Sequence, residues 1–260
     1  MTEETLKSYY PKIEIIEEAY EIPQLGRSRR ISVLLPHNYY ETDRKYPVLY
    51  LHDGQNLFDE YAPYGNWGVD KSLQKLSEND FGDVIIVAID HGGVLRIQEY
   101  LPYSTPRYTE SEGESYLKFM LDDLKPMIDS RFRVQTERES TGIGGSSLGG
   151  LISLFAGFEH PDIFGKMMIF SPSLWISEEI YKKAKAFVPS GQTDIYLYAG
   201  GMESANHYGQ VLRLENILQE KRRYDDFDII FSHNPSGQHK EIHWGHQFPL
   251  ALKWLYFDKY

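Results

Sequence analysis

Residues 141 to 150 read Thr-Gly-Ile-Gly-Gly-Ser-Ser-Leu-Gly-Gly and contain a Gly-x-Ser-x-Gly pentad, Gly145 to Gly149, centred on Ser147. A serine hydroxyl becomes a useful nucleophile when it projects from a sharp strand-to-helix turn, where a base can reach its proton and backbone NH groups can hold an oxyanion. Such a turn crowds the backbone, so the positions two before and two after the serine must lack a bulky Cβ. Both are glycine here. At average glycine and serine usage, roughly one chain of this length in ten would carry the pentad by chance, so its flanks must decide. Upstream, Glu139-Ser140-Thr141-Gly142-Ile143 is short and ends on a β-branched residue. Downstream, Leu148, Leu151, Ile152 and Phe155 recur at helical spacing, Ala156 and Phe158 continue the apolar side, and His160-Pro161 stops the run.

A serine nucleophile needs a base, an acid that orients the base, and two backbone donors for the oxyanion. On a strand-turn-helix elbow the chain order is serine, then acid, then histidine. A strand over 194 to 199 would run out into Gly200-Gly201-Met202-Glu203, and a strand over 227 to 231 into a segment holding His233 and His239. Parallel strands gather such C-terminal loops at one edge, where ligands bind. His239 follows Gly237 and precedes the last helix, so it has the freedom to lean over Ser147; His243 is the second choice, ahead of His233 and His246. Glu203 leads as the acid, because Asp194 and the Asp225-Asp226 pair fall at the opposite edge. The backbone NH groups of Leu148 and of Gln55, beside Gly54 in the loop after the first internal strand, are the expected oxyanion donors. A metal reading is weaker: His239, His243 and His246 are spaced four and three apart, but the His-Glu-x-x-His order is absent.

The elements that must hold these groups alternate. Strand-like runs at 13 to 16, 31 to 35, 46 to 52, 83 to 90, 166 to 171, 194 to 200 and 227 to 231 are separated by helical patterns over much of the chain. This predicts an α/β fold, a mostly parallel central sheet with helices on both faces. A helix is expected from about Glu114 until Pro126 ends or kinks it, and a final one from about Phe248 to Tyr256 with Pro249 in its first turn. No repeat or linker breaks the pattern, so residues 1–260 read as one domain.

Lys and Arg number 27 against 38 Asp and Glu, and the net charge of −11 argues against nucleic acid as a partner. The absence of cysteine excludes disulfides, thiolate metal sites and a cysteine nucleophile. The first residues lack an apolar stretch behind a basic start, so neither a membrane partner nor export is expected and the chain reads as cytoplasmic. Twenty tyrosines, 13 phenylalanines and 4 tryptophans could fill the core or wall a pocket. Asn56, Phe58, Tyr64, Trp67, Arg96, Tyr103, Trp175 and Trp244 fall in or beside the loops expected at the mouth, which suits an aromatic or sugar-linked small-molecule ester.

Four separated segments carry a family resemblance: Tyr50 to Asp59 (Tyr-Leu-His-Asp-Gly-Gln-Asn-Leu-Phe-Asp), Arg96 to Tyr100, Gly144 to Gly150, and His239-Lys240-Glu241 with Trp244. From about residue 28 to 257 the chain resembles the putative esterase family of α/β-hydrolases, with its enterochelin esterase-like and feruloyl esterase-like members. The resemblance implies an α/β-hydrolase fold, Ser147 as nucleophile and His239 as base, with the acid the variable member. The expected activity is carboxylic-ester hydrolysis through a Ser-His-Glu triad and an acyl-enzyme, without cofactor or metal. Acyl transfer by the same triad, or ligand binding without catalysis, are the alternatives. Arg96 and Glu99 are expected to pin their loop by an ion pair, with contact between Arg96 and an anionic substrate as the other role.

Overall fold

Unbroken apolar runs of β-branched and aliphatic residues are stable only as strands covered on both faces. In the computed structural model, which describes residues 9–224 and 226–258, these runs form an eight-stranded sheet. The strands are β1 (Lys12–Ile22), β2 (Arg27–Leu35), β3 (Val48–His52), β4 (Ile85–Ile89), β5 (Thr141–Ser146), β6 (Lys166–Phe170), β7 (Thr193–Gly200) and β8 (Phe227–Asn234). Their order is β1-β2-β4-β3-β5-β6-β7-β8. β2 pairs antiparallel with β1 and β4, and all remaining pairs are parallel. The expected α/β fold, mostly parallel with helices on both faces, is therefore the observed one.

The helices that bear on the site are α1 (Gln55–Phe58), α2 (Val69–Glu78), α3 (Arg96–Glu99), α4 (Gly113–Phe119), α5 (Lys125–Arg131), α6 (Leu148–Glu159), α7 (Glu179–Ala186), α8 (His207–Gln219) and α9 (Glu241–Tyr256). Alternate strand residues feed two separate cores. Val48, Tyr50, Val87, Ile143, Ile169 and Leu197 face the layer that includes α4 to α8. Leu49, Leu51, Ile86, Met168, Phe170 and Tyr198 face Leu73 and Leu76 of α2 and Trp244, Phe248 and Leu252 of α9.

Both prolines expected to mark helix ends behave differently. Pro126 does not stop its helix: a π turn over Met120–Leu124 joins α4 to α5, and Pro126 enters α5 in its first turn, where a missing NH is tolerated. Pro249 lies inside α9, which begins at Glu241, seven residues before the expected start. Interior proline costs about 3 kcal/mol. Burying each of Trp244, Phe248, Leu252 and Leu255 is worth about 1.5–3 kcal/mol, so the apolar stripe outweighs the lost hydrogen bond. Among the described residues no helix is long and apolar enough to cross a membrane.

Candidate active site

Ser147 occupies the turn between β5 and α6 with φ 58° and ψ −118°, a conformation costly to a residue with a Cβ. The neighbouring glycines make the turn possible. A Cβ on Gly145 would stand 2.9 Å from the carbonyl carbon of Gly149, and one on Gly149 would stand 3.0 Å from Asp53 Oδ2 and 3.2 Å from His52 Cβ. The elbow is held by the Ser147 NH, which donates to Phe170 O at 2.9 Å, and the Ser147 Oγ lies 3.2 Å from Ser173 Oγ.

The loops after β7 and β8 bring Glu203 and His239 together. Gly200 and Gly237 approach so closely that a Cβ on Gly200 would stand 2.4 Å from Gly237 O. Glu203 Oε2 lies 2.6 Å from His239 Nδ1. The other oxygen, Oε1, accepts from Ser171 Oγ at 2.6 Å and from the Gly200 NH at 2.7 Å. His207 Nε2 stands 3.2 Å from Oε2, near enough for attraction but outside hydrogen-bond geometry. The Glu203 side chain is 2 % exposed and that of His239 43 %. Burial pushes the Glu203 carboxyl up, but the bonds from His239 and Ser171, the nearby His207 and the Gly200 NH outweigh it, and the group sits below the usual carboxylate range. Burial lowers the His207 imidazole against the opposing pull of Glu203, which favours its neutral form.

The rival candidates fall elsewhere. Asp194 is buried at the opposite end of β7 and pairs with Lys166 at 2.9 Å. Asp226 precedes β8, and Asp225 lies outside the described residues. His233 belongs to β8, longer than expected, and packs on the Tyr208 ring at 4.3 Å. His243 and His246 ride on α9 while His239 precedes it, so their spacing does not place the three on one helical face. Among the described residues no group of three or more His, Asp or Glu side chains is arranged to hold a metal.

The loop after β3 turns at Asp53, another non-glycine residue at positive φ (60°). Arg96 clamps the Asp53 carboxylate from Nε at 2.5 Å and Nη2 at 2.8 Å. The expected Arg96–Glu99 ion pair is not formed: Arg96 is taken by both oxygens of Asp53, and the fully buried Glu99 instead accepts from Arg29 at 2.9 and 3.0 Å and from Arg27 at 3.0 Å, which satisfies its carboxylate within the protein. The Gln55 side chain is tied to the loop after β4, donating to His91 O at 3.1 Å and accepting from the His91 NH at 3.0 Å. Gln55 opens α1 and Leu148 opens α6, so both contribute NH groups from first helical turns, where intrahelical acceptors are lacking.

Above the sheet edge lies a cleft of about 700 Å³ walled by Ser147, His239, Asp53, Asn56, Tyr64, His91, Arg96, Glu241 and Trp244, among others. Four of the expected pocket residues, Asn56, Tyr64, Arg96 and Trp244, thus meet there. The rest are placed otherwise. Trp67 is 4 % exposed and packs in the core against Phe170, Trp244 and Phe248. Phe58 packs against the same core. Trp175 is 52 % exposed beside Tyr108 and Arg107, and Tyr103 lies edge-on to Phe155. Ser171, Ser173, His207, His91 and Glu241 were not among the sequence candidates. Ser171 closes and Ser173 follows the strand predicted over 166 to 171, at the ligand-binding edge, which is a usable signal; His207 sits at the start of a helix that carries no clear pattern.

Comparison with known proteins adds a lineage to this geometry. Residues 22–255 match the family described as "Putative esterase". The uncharacterized protein YbbA of Bacillus subtilis is 26% identical over 242 residues, spanning 88% of this chain and 93% of that protein. The enterobactin esterase of Shigella flexneri superposes with a TM-score of 0.73 at 21% identity, covering 95% of this chain and only 59% of the other. A ferulic acid esterase superposes at 0.70 with 17% identity over 95% of this chain and 98% of its own.

Proposed function

The chain belongs to the putative esterase family, which supports carboxylic ester hydrolysis, and we propose that it performs this reaction through Ser147, His239 and Glu203. The observation that carries the reading is the 2.6 Å contact between Glu203 Oε2 and His239 Nδ1 on the wall of the cleft that Ser147 also lines. A carboxylate on Nδ1 assigns the proton to that nitrogen and leaves Nε2 free to act as a base.

His239 Nε2 takes the Ser147 proton as Oγ attacks the ester carbonyl. The Leu148 and Gln55 NH groups stabilise the oxyanion, and the nearly buried Glu203 compensates the imidazolium that forms. Collapse expels the alcohol, which leaves with the proton from His239. Water, activated by the same histidine, then attacks the acyl-enzyme, releasing the acid and restoring the Ser147 hydroxyl. Asn56, Tyr64, Arg96 and Trp244 wall the substrate side of the cleft. Small-molecule esters of aromatic acids are the substrates this reading favours. Enterobactin and ferulic acid esters, after which two of the structural neighbours are named, head the set to assay.

The test is hydrolysis of a nitrophenyl ester by the wild type and Ser147→Ala, with labelling by a fluorophosphonate probe. We expect the variant to fold, to lose at least about a thousandfold in kcat and to escape the probe. Undiminished turnover in Ser147→Ala would refute the assignment.

A further inference from the structure

We propose that Ser171 and Trp244 form a donor relay of fixed polarity that positions Glu203 and, through it, His239; the inference rests on the triad reading above.

Ser171 lies immediately after β6, fully buried, with φ 44°. Its hydroxyl has two neighbours: the Trp244 Nε1 at 2.9 Å and Glu203 Oε1 at 2.6 Å. An indole NH can only donate, so the Ser171 oxygen must accept from Trp244. The single hydroxyl hydrogen is then left for Glu203, which as a carboxylate can only accept. No other arrangement satisfies all three groups in a buried site. Trp244 thereby prevents Ser171 from rotating away, and Ser171 presents a permanent donor to the oxygen of Glu203 that His239 does not use.

The same indole also supports the histidine directly. Its ring meets the His239 ring edge-on at 4.8 Å between centroids and 85° between planes. Trp244 is 4 % exposed and its ring also packs against that of Trp67, 6.2 Å away between centroids, which restricts its tilt. Although Trp244 touches the cleft, its polar atom is turned into the wall and away from any substrate. Its role is that of a positioning residue. The left-handed backbone at Ser171 would be easier for glycine or asparagine. A serine at that φ makes sense for the hydroxyl it supplies.

The geometry provides a clean variant. Ser171→Gly removes the hydroxyl at a φ that glycine adopts freely, so relief of the backbone offsets part of the cost of leaving the buried Trp244 NH without its acceptor, and the fold should be kept. Trp244→Phe keeps the ring against His239 but removes the NH. The assay is kcat and KM of a nitrophenyl ester across pH 4 to 9 for the wild type, Ser171→Gly, Trp244→Phe and Glu203→Gln. For Ser171→Gly we expect about a tenfold loss in kcat with KM little changed, and an acid limb moved to higher pH, because Glu203 loses a donor that favours its charged form. Trp244→Phe should shift the limb in the same direction by less. A merely structural serine would alter Tm and leave the pH profile in place. If Glu203→Gln is impaired while Ser171→Gly keeps both its rate and its acid limb, the relay is overturned and the triad reading stands. If Glu203→Gln is itself as active as wild type, both fall.

Discussion

The side-chain amide of Gln55 pairs with both backbone groups of His91, its nitrogen on the carbonyl at 3.1 Å and its oxygen under the NH at 3.0 Å. The amide thus imitates a strand neighbour and ties the loop after β3 to the loop after β4. Gln55 is also the residue whose backbone NH is proposed for the oxyanion. Gln55→Leu retains that NH and removes only the tie. We expect about a tenfold fall in kcat/KM with a loss of stability of about 1 kcal/mol, read by kinetics and denaturant unfolding.

The strained backbone of Ser147, at φ 58°, should be relieved by glycine. Ser147→Gly is expected to be inactive and more stable, by about 1 kcal/mol or a few degrees in Tm. A Tm below that of the wild type would contradict strain at the elbow.

Gly149 offers the opposite case. A methyl group there would press on Asp53 Oδ2 at 3.0 Å, and Asp53 cannot yield because Arg96 grips both of its oxygens. Gly149→Ala should cost about 1–3 kcal/mol and depress activity through the displaced loop. Thermal unfolding and kinetics would report the two effects.

Removing Arg96 strands the Asp53 carboxylate, whose side chain is 5 % exposed. Arg96→Met should destabilise by about 3 kcal/mol. Adding Asp53→Asn should recover part of the loss, and a double-mutant cycle would measure the coupling.

Two groups shifted by burial, His52 fully and Asp90 partly buried, give opposing pH dependences. Burial holds His52 down to about 4, so between its ordinary pKa and that value the unfolded chain binds more protons and stability falls as pH falls. Burial raises Asp90 to about 6 against the pull of Arg30; there the native state binds more protons, and stability falls as pH rises from about 4 to 6. Asp90→Asn should therefore steepen the acid loss of stability, and His52→Gln should flatten it. Urea midpoints between pH 4 and 7 would show both.

Much of the architecture was legible because local patterns carried it. The continuous apolar runs of β3, β4 and β6 have no stable home except between two helical layers, and the glycines flanking Ser147 have little reason to sit at that spacing unless a tight elbow crowds them. The order of Ser147, Glu203 and His239 along the chain then followed from how parallel strands deliver their loops to one edge. What periodicity could not reveal were long-range choices. The local preference of Pro249 predicts a helix start beside it, yet α9 begins at Glu241 because Trp244 and Phe248 find a core made by residues far away in sequence. The spacing of Arg96 and Glu99 predicts an ion pair between near neighbours, yet burial selects Asp53 for one and Arg29 for the other.

The amino-acid sequence by itself determined the alternation of strands and helices, the glycine-flanked serine turn and the side of the sheet where acid and histidine emerge, since these depend on residue type and spacing. Only the tertiary structure decided that Glu203 is shared among His239, Ser171 and the Gly200 NH, that Trp67 belongs to the core, and that Trp244 turns its NH inward. Those outcomes depend on which groups become buried together, and a buried polar atom takes whichever complementary partner the packing brings within 3 Å or so.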